Sequence, residues 1–243
     1  MPNDKTTKES GTEKYQPPKP EVGDAAHTLA RAGISAIPVI GGVGVELFSA
    51  IVQPPLERRR NEWMKEIGDG LKSLEDADLV RLADLSENDI FLDAVLSASQ
   101  AAMRTSQDEK KKALRNAVLN AALPSPPEES RQQFFFHIID IFTVWHLRLL
   151  KLFQDPAHWF IENEKEWPNI AIGGLDSILE SAFPELQGQR DFYDQIWKDI
   201  NNYGLTRTPS LQSAMSTDGL KAQRASELGN EFLDFIEAPD IEG

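Results

Sequence analysis

Four histidines are the side chains of this sequence best suited to metal or proton chemistry: His27, His137, His146 and His158. His137 and Asp140 have helical spacing, but His146 follows nine residues after His137. At about 100° per residue, that separation places the two imidazoles on opposite sides of one helix. We therefore interpret the histidines as capping, hydrogen-bonding or surface residues, and we predict no metal site.

Other catalytic signatures are missing from the sequence. There is no cysteine, which rules out a thiolate ligand, a cysteine nucleophile and a disulfide framework. Neither a G-x-S-x-G elbow nor a G-x-x-x-x-G-K-[ST] loop occurs. Carboxylates are abundant, but no pair has a neighbourhood that predicts a shifted pKa. The sequence thus predicts a protein that is not an enzyme and has no cofactor.

A glycine-rich stretch invites comparison with a nucleotide loop. Ile37 to Ile40, followed by Gly41-Gly42-Val-Gly44, imitates the strand and glycine loop of a dinucleotide fold. Leu47, however, stands where the third glycine belongs, and nothing downstream supplies the second strand of a βαβ unit. The comparison predicts no phosphate site.

The same stretch has the length of a membrane span. Nineteen of the twenty residues from Gly33 to Val52 carry no charge, and Arg58, Arg59 and Arg60 follow where cytoplasmic basic residues usually flank a span. The exception, Glu46, would cost on the order of 2.5–3.5 kcal/mol if inserted while charged. Interruptions by Pro38 and by glycines also weaken this interpretation.

Helical spacing favours a different interpretation. A polar stripe runs through Glu46, Ser49, Gln53, Glu57 and Arg60, whereas the rest of the circumference is apolar. Such a helix is typical of a buried αα-hairpin with one wet edge, here with Gly41-Gly42 as its turn. A hairpin that inserts into a membrane stays open as an alternative, because periodicity does not separate core from lipid. In that case the contact residues would be Ile40, Gly41, Gly42, Glu46, Phe48, Arg58, Arg59 and Arg60.

Composition and charge narrow the class of protein. The 243 residues are 40% hydrophobic, enough for a sizeable core, and the net charge is −14. From Phe160 onwards sixteen Asp/Glu stand against six Lys/Arg, so nucleic acid is an unfavourable partner. The polar, Pro-rich residues 1–24 predict a disordered tail without the pattern of a secretory signal. We expect a cytoplasmic protein, with membrane association left open.

The chain after this tail is predicted to be all-α. Helices are expected over Ala25–Ile37, from Val43 to about Gly70 with a kink or break at Pro54-Pro55, and after N-caps at Ser73, Ser86 and Ser106. The most apolar helix is expected from about Pro127 to Gln154, and Thr143 could split it as an internal N-cap.

A small acidic module is predicted at the C-terminus. A helical domain should occupy 25–156, a linker 157–174 and the module 175–238. Within the module, helices are expected over Leu175–Phe183 and Asp191–Tyr203, with Gly204 at C′, and then after an N-cap at Ser226. Irregular sequence before that last helix suggests a winged-helix-like unit, which could bind DNA.

Four segments taken together resemble a known family: "IPVIGGVGVELFSAIVQPPLERRRNEW", "RNAVLNAAL", "FFFHIIDIFTVWHLRLLKLFQDP" and "LGNEFLDFI". Their order looks like that of uncharacterised bacterial helical proteins and is similar in plan to the Abi-alpha family, which is linked to abortive infection. The resemblance implies a role in bacterial phage defence and supplies no catalytic residues.

The sequence as a whole predicts a non-enzymatic component that binds a protein partner or self-associates. Two alternatives stay open. One is a membrane-acting effector that inserts the Gly33–Val52 hairpin, and the other is a DNA-binding regulator that uses the C-terminal module.

Overall fold

Eleven α-helices and one two-stranded sheet form the described part of the computed structural model, which gives the backbone of residues 43–241 and the side chains of 52–241. The predicted tail and the predicted helix Ala25–Ile37 lie outside these residues. The all-α fold is confirmed. In chain order the helices are α1 (Val43–Asp76), α2 (Leu82–Leu85), α3 (Asp89–Arg104), α4 (Asp108–Ala122), α5 (Glu129–Ile141), α6 (Val144–Gln154), α7 (Pro156–Glu162), α8 (Leu175–Ala182), α9 (Arg190–Asn202), α10 (Thr217–Lys221) and α11 (Glu227–Ile236).

The first helix is longer than the sequence predicted. The sequence predicted a kink or a break at Pro54-Pro55; the helix continues through both prolines, so a break does not occur. Both prolines are exposed, and water can bond the carbonyl groups that lose an intrahelical partner. Ser73 is not an N-cap, because its hydroxyl donates to the Asp69 carbonyl at 3.0 Å inside the helix.

Other helix starts also differ from the prediction by a residue or two. Asn88, not Ser86, caps α3 by accepting from the Phe91 N–H at 3.1 Å. Gln107 precedes α4 in place of Ser106, and Glu128 caps α5, so that Pro127 lies before the helix. In each case the residue nearest the actual first turn has the extended geometry that a cap requires.

The predicted linker 157–174 contains a helix and a strand. Asp155 accepts from the His158 N–H at 3.0 Å, and Pro156 occupies the first position of α7, where a missing N–H costs nothing. Strand β1, Ile172–Gly173, pairs antiparallel with β2, Met215–Ser216. Because α8 and α9 separate these strands, the pair is not a hairpin within the irregular segment before α11, and the winged-helix-like character of the module stays a prediction.

The split at Thr143 is confirmed. Helix α5 ends at Ile141 and α6 begins at Val144, with Thr143 as the N-cap between them. Both helices are apolar on several sides, and their buried rings meet those of the last helix. The Phe135 ring lies 5.6 Å from that of Phe232 and 5.5 Å from that of Phe235.

Two asparagine side chains of α4 form hydrogen bonds with the C-terminal end of the last helix, α11. Asn116 of α4 donates to the Ile236 carbonyl at 3.0 Å, and Asn120 donates to the carbonyls of Phe235 and Glu237 at 2.9 and 2.8 Å. These amides satisfy carbonyl groups that a helix end leaves without intrahelical partners. Buried residues of the predicted domain 25–156 and of the predicted module 175–238 belong to one hydrophobic cluster.

Two features of the C-terminal region agree with the prediction. Gly204 follows α9 at C′ with φ +73°, a conformation that glycine adopts without a Cβ clash. Ser226 caps α11 by accepting from the Gly229 N–H at 3.0 Å.

Candidate interaction site

The register between α1 and α4 shows where the helical body ends. Arg115 Nε of α4 donates to the Glu66 carbonyl at 3.4 Å, and a Cβ at Gly70 would meet the Leu119 side chain. The two helices therefore run in the same direction, offset by forty-nine residues in each pair. Since α4 begins at Asp108, its first residue lies level with position 59 of α1. Residues of α1 before this position have no part of α4 beside them.

We call this segment of α1, residues 43–58, the arm. At about 1.5 Å per residue its helix is roughly 24 Å long. Among the side chains that the structure describes from Val52 to Glu62, none is buried, and the first buried residue of α1 is Trp63, at 4% exposure. Over residues 52–62 the predicted wet edge is exposed at Gln53 and Glu57, whereas Val52 and Leu56, on the face predicted to be buried, are half-buried.

The face of α1 that packs on the body continues into the arm. Trp63, Ile67 and Leu74 are buried at spacings of four and seven residues. The same spacing extended towards the N-terminus reaches Leu56 and Val52, both half-buried. An apolar face thus runs past the end of the helices that cover it.

Three arginines predicted as contact residues lie where the arm meets the body. Arg58 is exposed and pairs with Glu62, four residues on, at 3.7 Å, a geometry that contributes little to stability. Arg59 and Arg60 are half-buried, and Arg59 lines a small recess with Trp63 and Met103.

The side chains of the remaining predicted contact residues lie outside the described part of the chain. Ile40, Gly41 and Gly42 lie outside the described residues. Glu46 and Phe48 belong to the backbone of α1, and their side chains are not described. The hairpin turn and its possible insertion stay predictions.

A cluster of ion pairs and hydrogen bonds lies where α3 ends and α4 begins. Arg104 pairs with Asp140 at 2.6 Å, and Lys110 Nζ donates to the Asp140 carbonyl at 2.6 Å. Burial lowers the pKa of Lys110, the Arg104 charge adds to this effect, and the Asp140 carboxylate opposes it. Arg148 pairs with Glu109 at the same end of the body. These contacts connect α3 and α4 to α5 and α6.

The most enclosed imidazole belongs to His146, and it serves as a helix cap. Its Nδ1 accepts from the Thr143 N–H at 3.1 Å and lies 2.9 Å from Thr143 Oγ1, and its ring stacks on Phe142 at 4.4 Å. Its Nε2 lies 3.5 Å from Asp199 Oδ2 of α9. Burial is the main cause of its lowered pKa; the Asp199 carboxylate opposes this effect, and the Lys110 charge adds to it.

A hydroxyl, an imidazole and a carboxylate, those of Thr143, His146 and Asp199, follow one another as they do in a catalytic triad. Here, however, the Thr143 N–H occupies the lone pair that would have to take a proton from the hydroxyl. We therefore assign a capping role to the arrangement. Sequence reasoning anticipated a hydrogen-bonding role for His146 but had no signal for Asp199, which is fifty-three residues away. His137 and His158 lie on the surface.

A second concave region, not predicted from the sequence, lies beside the start of α11. It is an open groove of about 960 Å³ whose walls carry Arg207, Arg224, Glu227, Glu231 and Asp234. Burial raises the pKa of Asp234, and the neighbouring Glu237 and Glu231 charges raise it further. Charges of both signs line the groove, and Arg131 already pairs with Glu231.

Neither a metal cluster nor a membrane-spanning helix is found in the part of the chain that the structure describes. There, no three His, Asp or Glu side chains come together in a way that could hold a metal ion. No helix within residues 43–241 is both long enough and apolar enough to cross a membrane.

Comparison with known proteins leaves the chain without a family assignment. It matches no protein-family model, no curated protein and no solved structure.

Proposed function

We propose that this protein is a non-enzymatic interaction component that binds its target through the arm. One observation carries the proposal. Helix α1 continues beyond the start of α4, and in the arm the Val52 and Leu56 side chains are only half-buried while Pro54 and Pro55 are exposed. Contiguous apolar surface outside a core is typical of binding sites.

The body supports this proposal as a rigid platform. Trp63, Ile67 and Leu74 are buried and anchor the C-terminal half of α1 in the core. The buried polar groups described near the arm have protein partners: Lys110 bonds a carbonyl group, and His146 caps a helix. They stabilise the body and leave binding to the arm.

The resemblance to the Abi-alpha family suggests the setting. We propose that binding by the arm takes place in bacterial phage defence or in a stress response, in the cytoplasm or at its membrane. A host that expresses the full chain should then restrict phage plaques more strongly than a host that expresses an arm variant at the same level.

Paired capture and sedimentation experiments test the proposal. The full chain is compared with Leu56→Asp, which places a charge on the half-buried face of the arm, and with Ile161→Asp at a body site that is 75% exposed. The wild-type protein and Ile161→Asp should retain the same target or the same oligomer, and Leu56→Asp should lose it. The proposal fails if all three proteins are monomers that retain nothing while the purified chain turns over a substrate.

A further inference from the structure

We infer that the junction of α5 and α6 is a proton-sensitive joint: when His146 takes up a second proton, it releases the Thr143 N–H, and the first turn of α6 loosens. This joint belongs to the body and is independent of the function proposed for the arm. Its support comes from the hydrogen-bonding roles of the imidazole, the charged groups around it and the contacts of the turn that it caps.

The contacts of His146 determine which nitrogen of its neutral ring carries the proton. A backbone N–H can only donate, so the Thr143 N–H, 3.1 Å from Nδ1, requires a lone pair on that nitrogen. The single proton of the neutral imidazole is therefore bound to Nε2, which faces Asp199 Oδ2 at 3.5 Å. His146 thus takes the place that a glutamate or glutamine has in the usual capping box, with Thr143 as the N-cap.

A second proton has to bind Nδ1, and it reverses the direction of this contact. The new N–H faces the Thr143 N–H, and two donors repel each other because both present a partly positive hydrogen. Thr143 Oγ1, 2.9 Å from Nδ1, can accept from the new N–H, so the ring keeps a partner while the backbone N–H loses its own. The proton comes from solvent, and its uptake removes a cap from the N-terminal end of α6, which loosens that turn.

The surroundings of the ring decide the pH at which this happens. Burial is the main reason why the pKa of His146 is lowered; the Asp199 carboxylate of α9 opposes this effect, and the Lys110 charge of α4 adds to it. Lys110 Nζ is held by the Asp140 carbonyl at 2.6 Å, and the Asp140 carboxylate pairs with Arg104 at 2.6 Å. The second proton therefore binds in acidic solution, below the ordinary value of 6.5, and it turns the contact with Asp199 into an ion pair.

The N-terminal part of α6 holds two neighbouring parts of the body. The Trp145 ring packs edge-on against that of Phe183, the residue after α8, at 5.4 Å. The Arg148 guanidinium lies 5.0 Å from the centre of the Trp145 ring, and its Nε donates to Glu109 of α4 at 2.9 Å. Loosening of the first turn of α6 therefore reaches the start of α4 and the segment that follows α8.

Nuclear magnetic resonance of the full chain tests the joint. At about pH 8 the nitrogen-15 shifts of His146 should show a proton on Nε2 and none on Nδ1. As the pH falls towards about 5, the Thr143 amide signal should move with the midpoint of the His146 titration, which should lie below 6.5. Because one proton is taken up, hydrogen-exchange protection in the N-terminal part of α6 should fall by up to about tenfold per pH unit.

Three variants make the test specific. His146→Gln keeps an acceptor for the Thr143 N–H and does not titrate, so the Thr143 signal and the protection of α6 should no longer depend on pH. Asp199→Asn removes the carboxylate that favours the imidazolium and should move the His146 midpoint to lower pH. Asp191→Asn, at an exposed position of the same helix, should leave the midpoint unchanged. Circular dichroism checks that each variant is folded.

Four outcomes would overturn the inference. The first is a proton on Nδ1 of the neutral ring. The second is a Thr143 signal that does not follow the titration of His146. The third is an equal response to pH in the wild type and in His146→Gln, which would assign the change to another group. The fourth is a chain that unfolds before His146 takes up its second proton, because no joint then operates in the folded protein.

Discussion

The indole Nε1 of Trp63 donates a hydrogen bond of 2.9 Å to Ser99 Oγ, and this contact joins α1 to α3 at the point where the arm leaves the body. Among the side chains described from Val52 onwards, Trp63 is the first buried residue of α1, and Arg59, one turn earlier, lines the recess beside it. Because Trp63 is the described buried residue of α1 that lies nearest to the arm, this contact fixes the helix at the point where the arm begins.

A double-mutant cycle should measure this anchor. Trp63→Phe and Ser99→Ala remove one partner each, and we expect Ser99→Ala to cost about 1–3 kcal/mol, because it leaves the indole N–H without an acceptor in a part-buried site. The double variant should cost less than the sum of the two, because no polar group is then left without a partner. Hydrogen exchange of the α1 amides, which does not depend on tryptophan fluorescence, measures the free energy of opening in the wild type and the three variants. Additive costs would show that the bond does not contribute.

Lowering the pH should destabilise the fold through His146. Burial lowers the pKa of this imidazole in the folded state below the ordinary value of 6.5, so the unfolded chain binds more protons as the pH falls through that value. The contribution to stability is present above about pH 6.5 and is lost towards lower pH, until the folded-state pKa is passed.

Denaturant unfolding at a series of pH values checks this expectation. The wild-type free energy of unfolding should decrease between neutral and mildly acidic pH, and the decrease should be smaller in His146→Gln, which does not titrate. A surface variant, His158→Gln, should retain the wild-type pH dependence. Equal slopes for the wild type and His146→Gln would contradict the assignment of His146 as a buried neutral cap.

Two glycines should respond to alanine in opposite directions. At Gly229 a Cβ would lie 2.1 Å from the Leu205 carbonyl oxygen, so Gly229→Ala must displace backbone and should cost at least about 1–3 kcal/mol. At Gly68, inside α1, nothing lies within 4 Å, and Gly68→Ala should stabilise the helix by about 0.5–1 kcal/mol. Thermal unfolding of the two variants distinguishes them, and destabilisation by Gly68→Ala would contradict the exposed position of that face.

Local signals predicted those features that depend on a few neighbouring residues. The split at Thr143, the glycine at C′ after α9 and the cap at Ser226 each follow from the chemistry of one turn. Ser73 carries an equally good local signal, yet it lies inside α1 because Leu74, next to it, continues the buried face of that helix. Tertiary packing overrides a cap signal in that case.

The sequence identified the residues of the candidate site but could not predict where they lie in the fold. The apolar run before Arg58 was visible, whereas its location beyond the end of α4 depends on the register of two helices separated by more than thirty residues of chain. Asp199 beside His146 was inaccessible to sequence reasoning for the same reason. Helix α7 was missed because seven residues give too little periodicity, although Asp155-Pro156 is a typical helix start.

The accessibility of the arm is measured most directly by the reaction rate of a single thiol. Because the chain has no cysteine, Leu56→Cys carries one reactive group, and Val118→Cys, at a fully buried site in α4, provides the matched control. In the free protein the thiol at half-buried position 56 should react much faster than the thiol at 118, which stays protected; bound target should then slow the reaction at 56. A thiol at 56 as protected as the one at 118 in the free, monomeric protein would contradict the claim that the arm lies outside the core and is available for binding.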